Sequence, residues 1–293
     1  MKEGTFQSFD GTKIYYETDG EGLPLIFCYG VVCNSRQWKF QSKHFRKKYQ
    51  IIHFDYRGHN KSGMPQKSEN LTIEACTKDL NLLFEKLNIT SAVLLGHSMG
   101  VNVIFQFAAL YPEKVKALIS VCGTVLNPFK TMFNTDLSLA GFEFLKLAYL
   151  KFPELFPKIW EKTVPSPVSH FLTGILGFNY QLTKKEEVKN YLEGVAKQPT
   201  ETFFYFLQEM SRFPGDKILQ KITAPTLIIG GQRDLITPIK NQYFIYRKLR
   251  KNAQFLKVPQ GSHCSHMDMP ELVNLKIEKF LQDVHYTSLT KDQ

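Results

Sequence analysis

The sequence predicts an α/β fold: a mostly parallel central sheet of about eight strands, flanked by helices and carrying a helical insertion after the sixth strand. Three observations predict it. Short apolar runs alternate with amphipathic segments, the pattern of strands and covering helices. The 293 residues, 43% of them hydrophobic, suffice to bury one large core. Between Val125 and Gly215 the strand-length runs stop, Pro153, Pro157, Pro165, Pro167 and Pro199 break the helices, and 12 of the chain's 24 Phe gather. The chain therefore divides into a core formed by residues 1–125 and 216–293 and a helical cap formed by residues 126–215.

The first element is a hairpin over residues 4–18. Asp10-Gly11 is the turn between Thr5-Phe6-Gln7-Ser8-Phe9 and Lys13-Ile14-Tyr15-Tyr16-Glu17, and the pair forms the antiparallel edge of the sheet. Strands follow at 24–29, 50–54, 92–96, 117–122, 225–230 and 254–258. Helices fall at 35–47, 72–88, 99–110, 238–250 and 271–284. In the last, Leu272, Leu275, Ile277, Phe280, Leu281 and Val284 supply an apolar face that packs back on the sheet.

The stretch richest in chemistry is Gly96-His97-Ser98-Met99-Gly100, which follows Ala92-Val93-Leu94-Leu95 and opens the apolar segment Val101 to Leu110. That context reads strand, sharp turn, helix. Glycines two residues either side of Ser98 let neighbouring backbone approach without a Cβ clash, and the turn presents the hydroxyl as a nucleophile.

This pattern resembles the nucleophile elbow of the α/β-hydrolase fold family. The resemblance covers roughly residues 4–125 and 216–284. It implies a catalytic order of Ser, acid and His, each on a loop after a strand. Thr226-Leu227-Ile228-Ile229-Gly230-Gly231 runs into Asp234, the position of the family's carboxylate. Gln254 to Pro259 reads as the last strand, and His263 after it takes the family's catalytic position. Leu25 to Val31 resembles the strand and loop that supply an oxyanion donor, with Tyr29 in place of the family's usual His. The backbone N–H groups of Val31 and Met99 are the implied donors. Asp55-Tyr56-Arg57-Gly58-His59-Asn60-Lys61-Ser62 resembles the family's D-x-R-G-x-G-x-S turn, with Asn60 replacing a Gly. Asn tolerates a left-handed backbone, so the turn survives the change.

Each role has a plainer rival. Ser98 read alone is a turn residue, and Asp234 also suits a helix N-cap before Leu235-Ile236-Thr237-Pro238. His266 competes with His263 within Ser262-His263-Cys264-Ser265-His266. His97 and His59 read as packing residues and Asp55 as a turn-maker.

The implied chemistry is a Ser-His-Asp hydrolase cleaving a carboxylic ester through an acyl-enzyme, with no metal and no organic cofactor. The same triad serves lactones, thioesters, amides, carbon–carbon bonds next to a ketone and acyl transfer, and a ligand-binding protein with a vestigial triad is the reading from another class. A Ser nucleophile argues against the family's epoxide hydrolases and haloalkane dehalogenases, whose covalent step uses an Asp. A small helical insert cannot enclose twelve Phe, so some face the active site or the main domain, and the substrate pocket is expected to be lipophilic. Tyr29, Phe142, Trp160, Phe203 and Phe206 are its expected lining, with Phe144 and Phe204 as further contributors.

The formal charge of +10, densest in Lys43-His44-Phe45-Arg46-Lys47-Lys48 and Arg247-Lys248-Leu249-Arg250-Lys251, accompanies no nucleic-acid module, so no nucleic-acid partner is expected. Weak attraction to an anionic membrane surface is compatible with it. No apolar run reaches membrane-spanning length, and no signal-peptide apolar region follows Met1-Lys2-Glu3. Five cysteines without metal-type spacing read as reduced, buried thiols, and a cytoplasmic location is expected. The sequence indicates no oligomeric state.

Overall fold

The computed structural model describes residues 1–135 and 137–287. Its centre is one eight-stranded sheet: β1 (Lys2–Gln7), β2 (Lys13–Asp19), β3 (Pro24–Cys28), β4 (Gln50–Phe54), β5 (Ala92–His97), β6 (Val115–Val121), β7 (Thr226–Gly231) and β8 (Ala253–Val258), in spatial order β1-β2-β4-β3-β5-β6-β7-β8. β1 and β2 form an antiparallel hairpin, β2 joins β4 antiparallel, and every other pairing is parallel.

The helices of the sheet region are α1 (Lys39–Phe45), α2 (Ile73–Lys86), α3 (Met99–Leu110), α10 (Ile239–Lys248), α11 (Ser265–Asp268) and α12 (Pro270–Asp283). α3 packs on β5 and α2, while α12 packs on β7, β8 and α1. With both faces covered, all six residues of β5 are buried, which is why the central strands read as continuous apolar runs without alternation. The sheet order β3-β5-β6-β7-β8 brings the carboxyl ends of consecutive parallel strands side by side, the edge of an open α/β sheet where ligands bind.

Between β6 and β7 the chain makes α4 (Leu137–Lys151), α5 (Leu155–Thr163), α6 (Pro167–Leu176), α7 (Lys185–Ala196), α8 (Thr200–Arg212) and α9 (Gly215–Leu219). Phe204 anchors this segment's interior, with Tyr149 stacked on it at 4.8 Å and Phe142 and Phe156 around it. Three of its other Phe residues meet an outcome that the count of twelve did not anticipate. Phe144, Phe152 and Phe171 face solvent, not the sheet or the site. All five cysteines are free and buried.

Candidate active site

Ser98 stands between β5 and α3 with φ 53° and ψ −119°, a conformation that holds its side chain off both elements. Neighbouring backbone enforces the turn. A Cβ on Gly100 would stand 2.2 Å from the Cys28 carbonyl oxygen, and one on Gly96 would stand 2.6 Å from the Gly100 oxygen, so the crossing admits only glycine at both points.

The loop after β7 brings Asp234 to the same edge. Its Oδ1 accepts N–H bonds from Ile236 (2.9 Å) and Thr237 (2.8 Å), and Thr237 Oγ1 lies 2.8 Å from Oδ2. The loop after β8 brings His263, whose Nδ1 lies 3.1 Å from Asp234 Oδ2 and 3.2 Å from Oδ1. Asp234 is not the cap of α10, which begins after Pro238. Turn-making and the contact to His263 coexist in one carboxylate, because its two oxygens offer several acceptor sites.

Two carboxylates thus serve the His263 loop. Asp268 Oδ2 accepts from the Ser262 N–H (2.7 Å) and Ser262 Oγ (2.6 Å), while its Oδ1 accepts from Asn179 N–H (3.1 Å) and Thr183 Oγ1 (2.7 Å). That tie fastens the loop to the helical segment. His266 points elsewhere: it packs against Trp38 and His97, and neither of its ring nitrogens finds a partner among the described residues. Burial, with His263 nearby, pushes its pKa down to about 3, so it stays neutral. His97 Nε2 donates to the His263 carbonyl oxygen at 2.9 Å, which fixes Nε2 as the protonated nitrogen.

Two backbone donors, in the loop after β3 and beside Ser98, lack acceptors among the described residues. In the loop after β3, Gly30 N–H bonds Gln37 Oε1 (3.1 Å) and Val32 N–H bonds His59 Nε2 (3.1 Å), while Val31 N–H has no acceptor among the described residues. Met99 N–H, the first of α3, is equally free, as helix starts leave it. His59 Nδ1 donates to the Arg57 carbonyl oxygen at 3.1 Å, so its Nε2 must be the acceptor that holds Val32. Burial keeps this ring neutral by pushing its pKa down to about 4.

The two positions that depart from the family pattern touch each other. Tyr29 Oη donates to Asp55 Oδ1 (3.0 Å), and Asn60 Nδ2 reaches Tyr29 Oη (3.2 Å), Asp55 Oδ1 (3.3 Å) and the Cys33 carbonyl oxygen (2.8 Å). Asn60 has φ 47°, the left-handed backbone its side chain tolerates. Its amide also pairs with Gln198, at 3.0 Å from Asn60 N–H and 2.7 Å to Asn60 Oδ1. Gln198 carries no motif, and no pattern along the chain singles it out. Arg57 of the same turn is fully buried and bonds both oxygens of Asp79, at 2.8 and 2.7 Å, and Asp10 at 2.8 Å.

Ser98, His263, Val31 and Thr237 open on a cavity of about 560 Å³ whose walls are mostly apolar. Among the expected lining residues, Phe142, Trp160 and Phe203 border it. Tyr29 does not: its ring is fully buried against Tyr56, because its hydroxyl finds a buried partner in Asp55. Phe206 does not either. On α8, Phe203, Leu207 and Met210 (i, i+4, i+7) face the cavity, whereas Thr202 and Phe206 (i, i+4) form the neighbouring stripe, which meets Gly58 and His59 of the core. Phe204 is in the helical segment's interior and Phe144 in solvent. Ser98 Oγ and His263 share the cavity wall without a hydrogen bond between them, a spacing that ligand-free sites often show. Among the described residues no group of three His, Cys, Asp or Glu is arranged to hold a metal ion.

The profile of a family described as alpha/beta hydrolase fold matches residues 24–270. Epoxide hydrolase 1 of Caenorhabditis elegans is 28% identical over 280 residues, covering 91% of this chain and 67% of the relative. Epoxide hydrolase 4 of Homo sapiens is 25% identical over 286 residues, covering 93% and 76%. A thermophilic esterase from Thermogutta terrifontis, 23% identical, has the same fold with a TM-score of 0.79 over 97% of this chain and 100% of that one.

Proposed function

This chain belongs to the alpha/beta hydrolase fold family, and from that premise we propose that it is a serine hydrolase cleaving a lipophilic carboxylic ester. The observation that carries the reading is Ser98 at its strained turn, on a cavity wall shared with the His263–Asp234 pair. In the proposed reaction Ser98 Oγ attacks the acyl carbon while His263 Nε2 takes its proton, and Asp234 holds the imidazole and stabilises its cation. The carbonyl oxygen becomes an oxyanion between the N–H groups of Val31 and Met99, each such donor contributing about 3 kcal/mol in the transition state. His263 then passes its proton to the leaving alcohol. Water, deprotonated by the same His, attacks the acyl-enzyme and releases the acid.

The relatives called epoxide hydrolases point to a competing substrate, and the nucleophile argues against it. Epoxide opening by Ser98 would leave an alkyl–Ser ether, which has no carbonyl for water to attack, whereas an ester leaves a hydrolysable acyl-Ser. The helical segment between β6 and β7 supports its reading as a cap, since α4, α5, α6 and α8 all contribute to the cavity wall and set the shape an acyl chain would meet.

The test is hydrolysis of p-nitrophenyl esters from acetate to dodecanoate, alongside an aryl epoxide, by wild type and Ser98→Ala. We expect ester turnover that falls at least about 10³-fold in Ser98→Ala at unchanged melting temperature, and no epoxide turnover. Equal ester rates in the two proteins would defeat the reading.

A further inference from the structure

Among the described residues 21 large hydrophobic side chains are exposed, and 13 of them fall within residues 137–175. Scattered singly such residues need no explanation, but concentrated on three consecutive helices they form a patch with a purpose. On α6, Val168 (68% exposed), Phe171 (60%), Leu172 and Ile175 follow i, i+3, i+4, i+7: the helix turns its apolar stripe outward. On α4, Leu137, Phe144 and Leu147 do the same. On α5, Leu155 and Ile159 alternate with exposed Lys158 and Lys162 in the same i, i+3, i+4, i+7 stripe, while Glu154 and Glu161 lie on its flank.

The patch meets the cavity. Leu145 of α4 and Leu172 of α6 are both exposed at the surface and part of the cavity wall, so apolar side chains join the interior to the exterior patch. We propose that the outward face of α4, α5 and α6 docks on a lipid bilayer bearing anionic headgroups, and that the substrate enters the cavity from the bilayer as an amphiphilic ester. The second half of this inference rests on the hydrolase reading above; the docking does not.

The charge distinguishes this occupant from a second copy of the chain. Lysines interleaved with apolar residues on one helix face suit a helix lying in a headgroup layer, and the whole chain's +10 adds long-range attraction to anionic lipid. A two-fold self-interface would instead bring the Lys158 and Lys162 stripe toward its own copy. No helix among the described residues is long and apolar enough to cross a membrane, so the geometry is that of a surface contact.

The experiment is cosedimentation with vesicles of phosphatidylcholine alone and of phosphatidylcholine with phosphatidylserine. Wild type and Ser98→Ala should bind alike, more tightly to the anionic vesicles and less at high salt. Val168→Ser with Phe171→Ser should lower partitioning at least about tenfold, because two large apolar side chains no longer enter the lipid. Neither residue borders the cavity, so p-nitrophenyl acetate turnover and the melting temperature should hold. Lys158→Ser with Lys162→Ser should weaken the preference for anionic over neutral vesicles. Wild type bound to neither vesicle, or a wild-type dimer that Val168→Ser with Phe171→Ser splits into monomers, would overturn the docking proposal. Vesicle binding by a protein that hydrolyses no ester would overturn the esterase reading and leave docking in place.

Discussion

The strand-end loops around Ser98 and the helices between β6 and β7 treat their side chains in opposite ways. In the loops many polar side chains are buried and paired: Arg57 on Asp79, His59 between Arg57 and Val32, Asp268 on Ser262 and Thr183. In α4 to α6 many large apolar side chains, Phe144, Leu155 and Phe171 among them, face solvent. The contrast teaches that the site's framework is over-determined by internal bonds, whereas the helical segment leaves one face unfinished, to be completed by something outside the chain.

The sharpest way to break this comparison lies among the histidines. His263→Ala should lower ester turnover at least about 10³-fold, while His266→Phe, which replaces an unpartnered buried ring with one of similar shape, should keep it within a few-fold. Loss of activity in both would dissolve the distinction drawn between them. Next in size is Asp79→Ala, which removes the bidentate partner of the fully buried Arg57 and leaves it Asp10 alone, and should cost about 3 kcal/mol in urea unfolding. His59→Ala should cost about 1–3 kcal/mol, since the Val32 N–H loses its acceptor, and it should lower kcat on short esters more than it alters KM.

A pH series sharpens the same comparison. Burial holds His53 and His59 at pKa values of about 4 and His266 at about 3, below the ordinary 6.5. The unfolded chain therefore binds more protons than the folded one below that value. The stability these rings contribute is full above pH 6.5 and is lost as pH falls toward 4 and 3. Asp55, raised to about 6 mainly by burial, acts in the opposite direction, its stabilising effect fading as pH rises from 3.8 to about 6. His97 is lowered by burial as well, while burial raises Asp79, Asp268 and Glu209 alongside Asp55, so the test isolates one ring: between pH 6.5 and 4 the urea midpoint of His266→Phe should fall less, relative to its value at about pH 7, than that of the wild type. At the small end, Phe144→Ser, 71% exposed in the helical segment, should change stability by less than about 0.5 kcal/mol. A cost of several kcal/mol there would mean that α4 is packed and not open.

What could be read from the sequence divides along the same line. The sheet and the family were legible because a strand covered on both faces leaves a continuous apolar run, as β5 does, and because a strained turn restricts which residues fit beside Ser98. Asp234 and His263 were legible as neighbours only through the family pattern, since 29 positions separate them in the chain. The cavity lining was legible in part. Aromatic content marks Phe203 and Phe206 alike, and only the placement of α8 decides that the first meets the cavity and the second His59. Tyr29 was misplaced because its hydroxyl's partner, Asp55, is 26 residues away. The outward-facing Phe residues were misread because periodicity locates an apolar stripe without saying which surface it meets.

The amide pair of Asn60 and Gln198 has a consequence for engineering. It joins the turn that supports the loop of Val31 to the stretch between α7 and α8, so the loops around Ser98 and the helices that wall its cavity share a fastener. A chimera that transplants a foreign helical segment onto this sheet, with another residue at 198, leaves the Asn60 side chain without its partner. The recombined protein is expected to lose turnover even on substrates small enough to ignore the new walls, and to regain it when a glutamine is restored there.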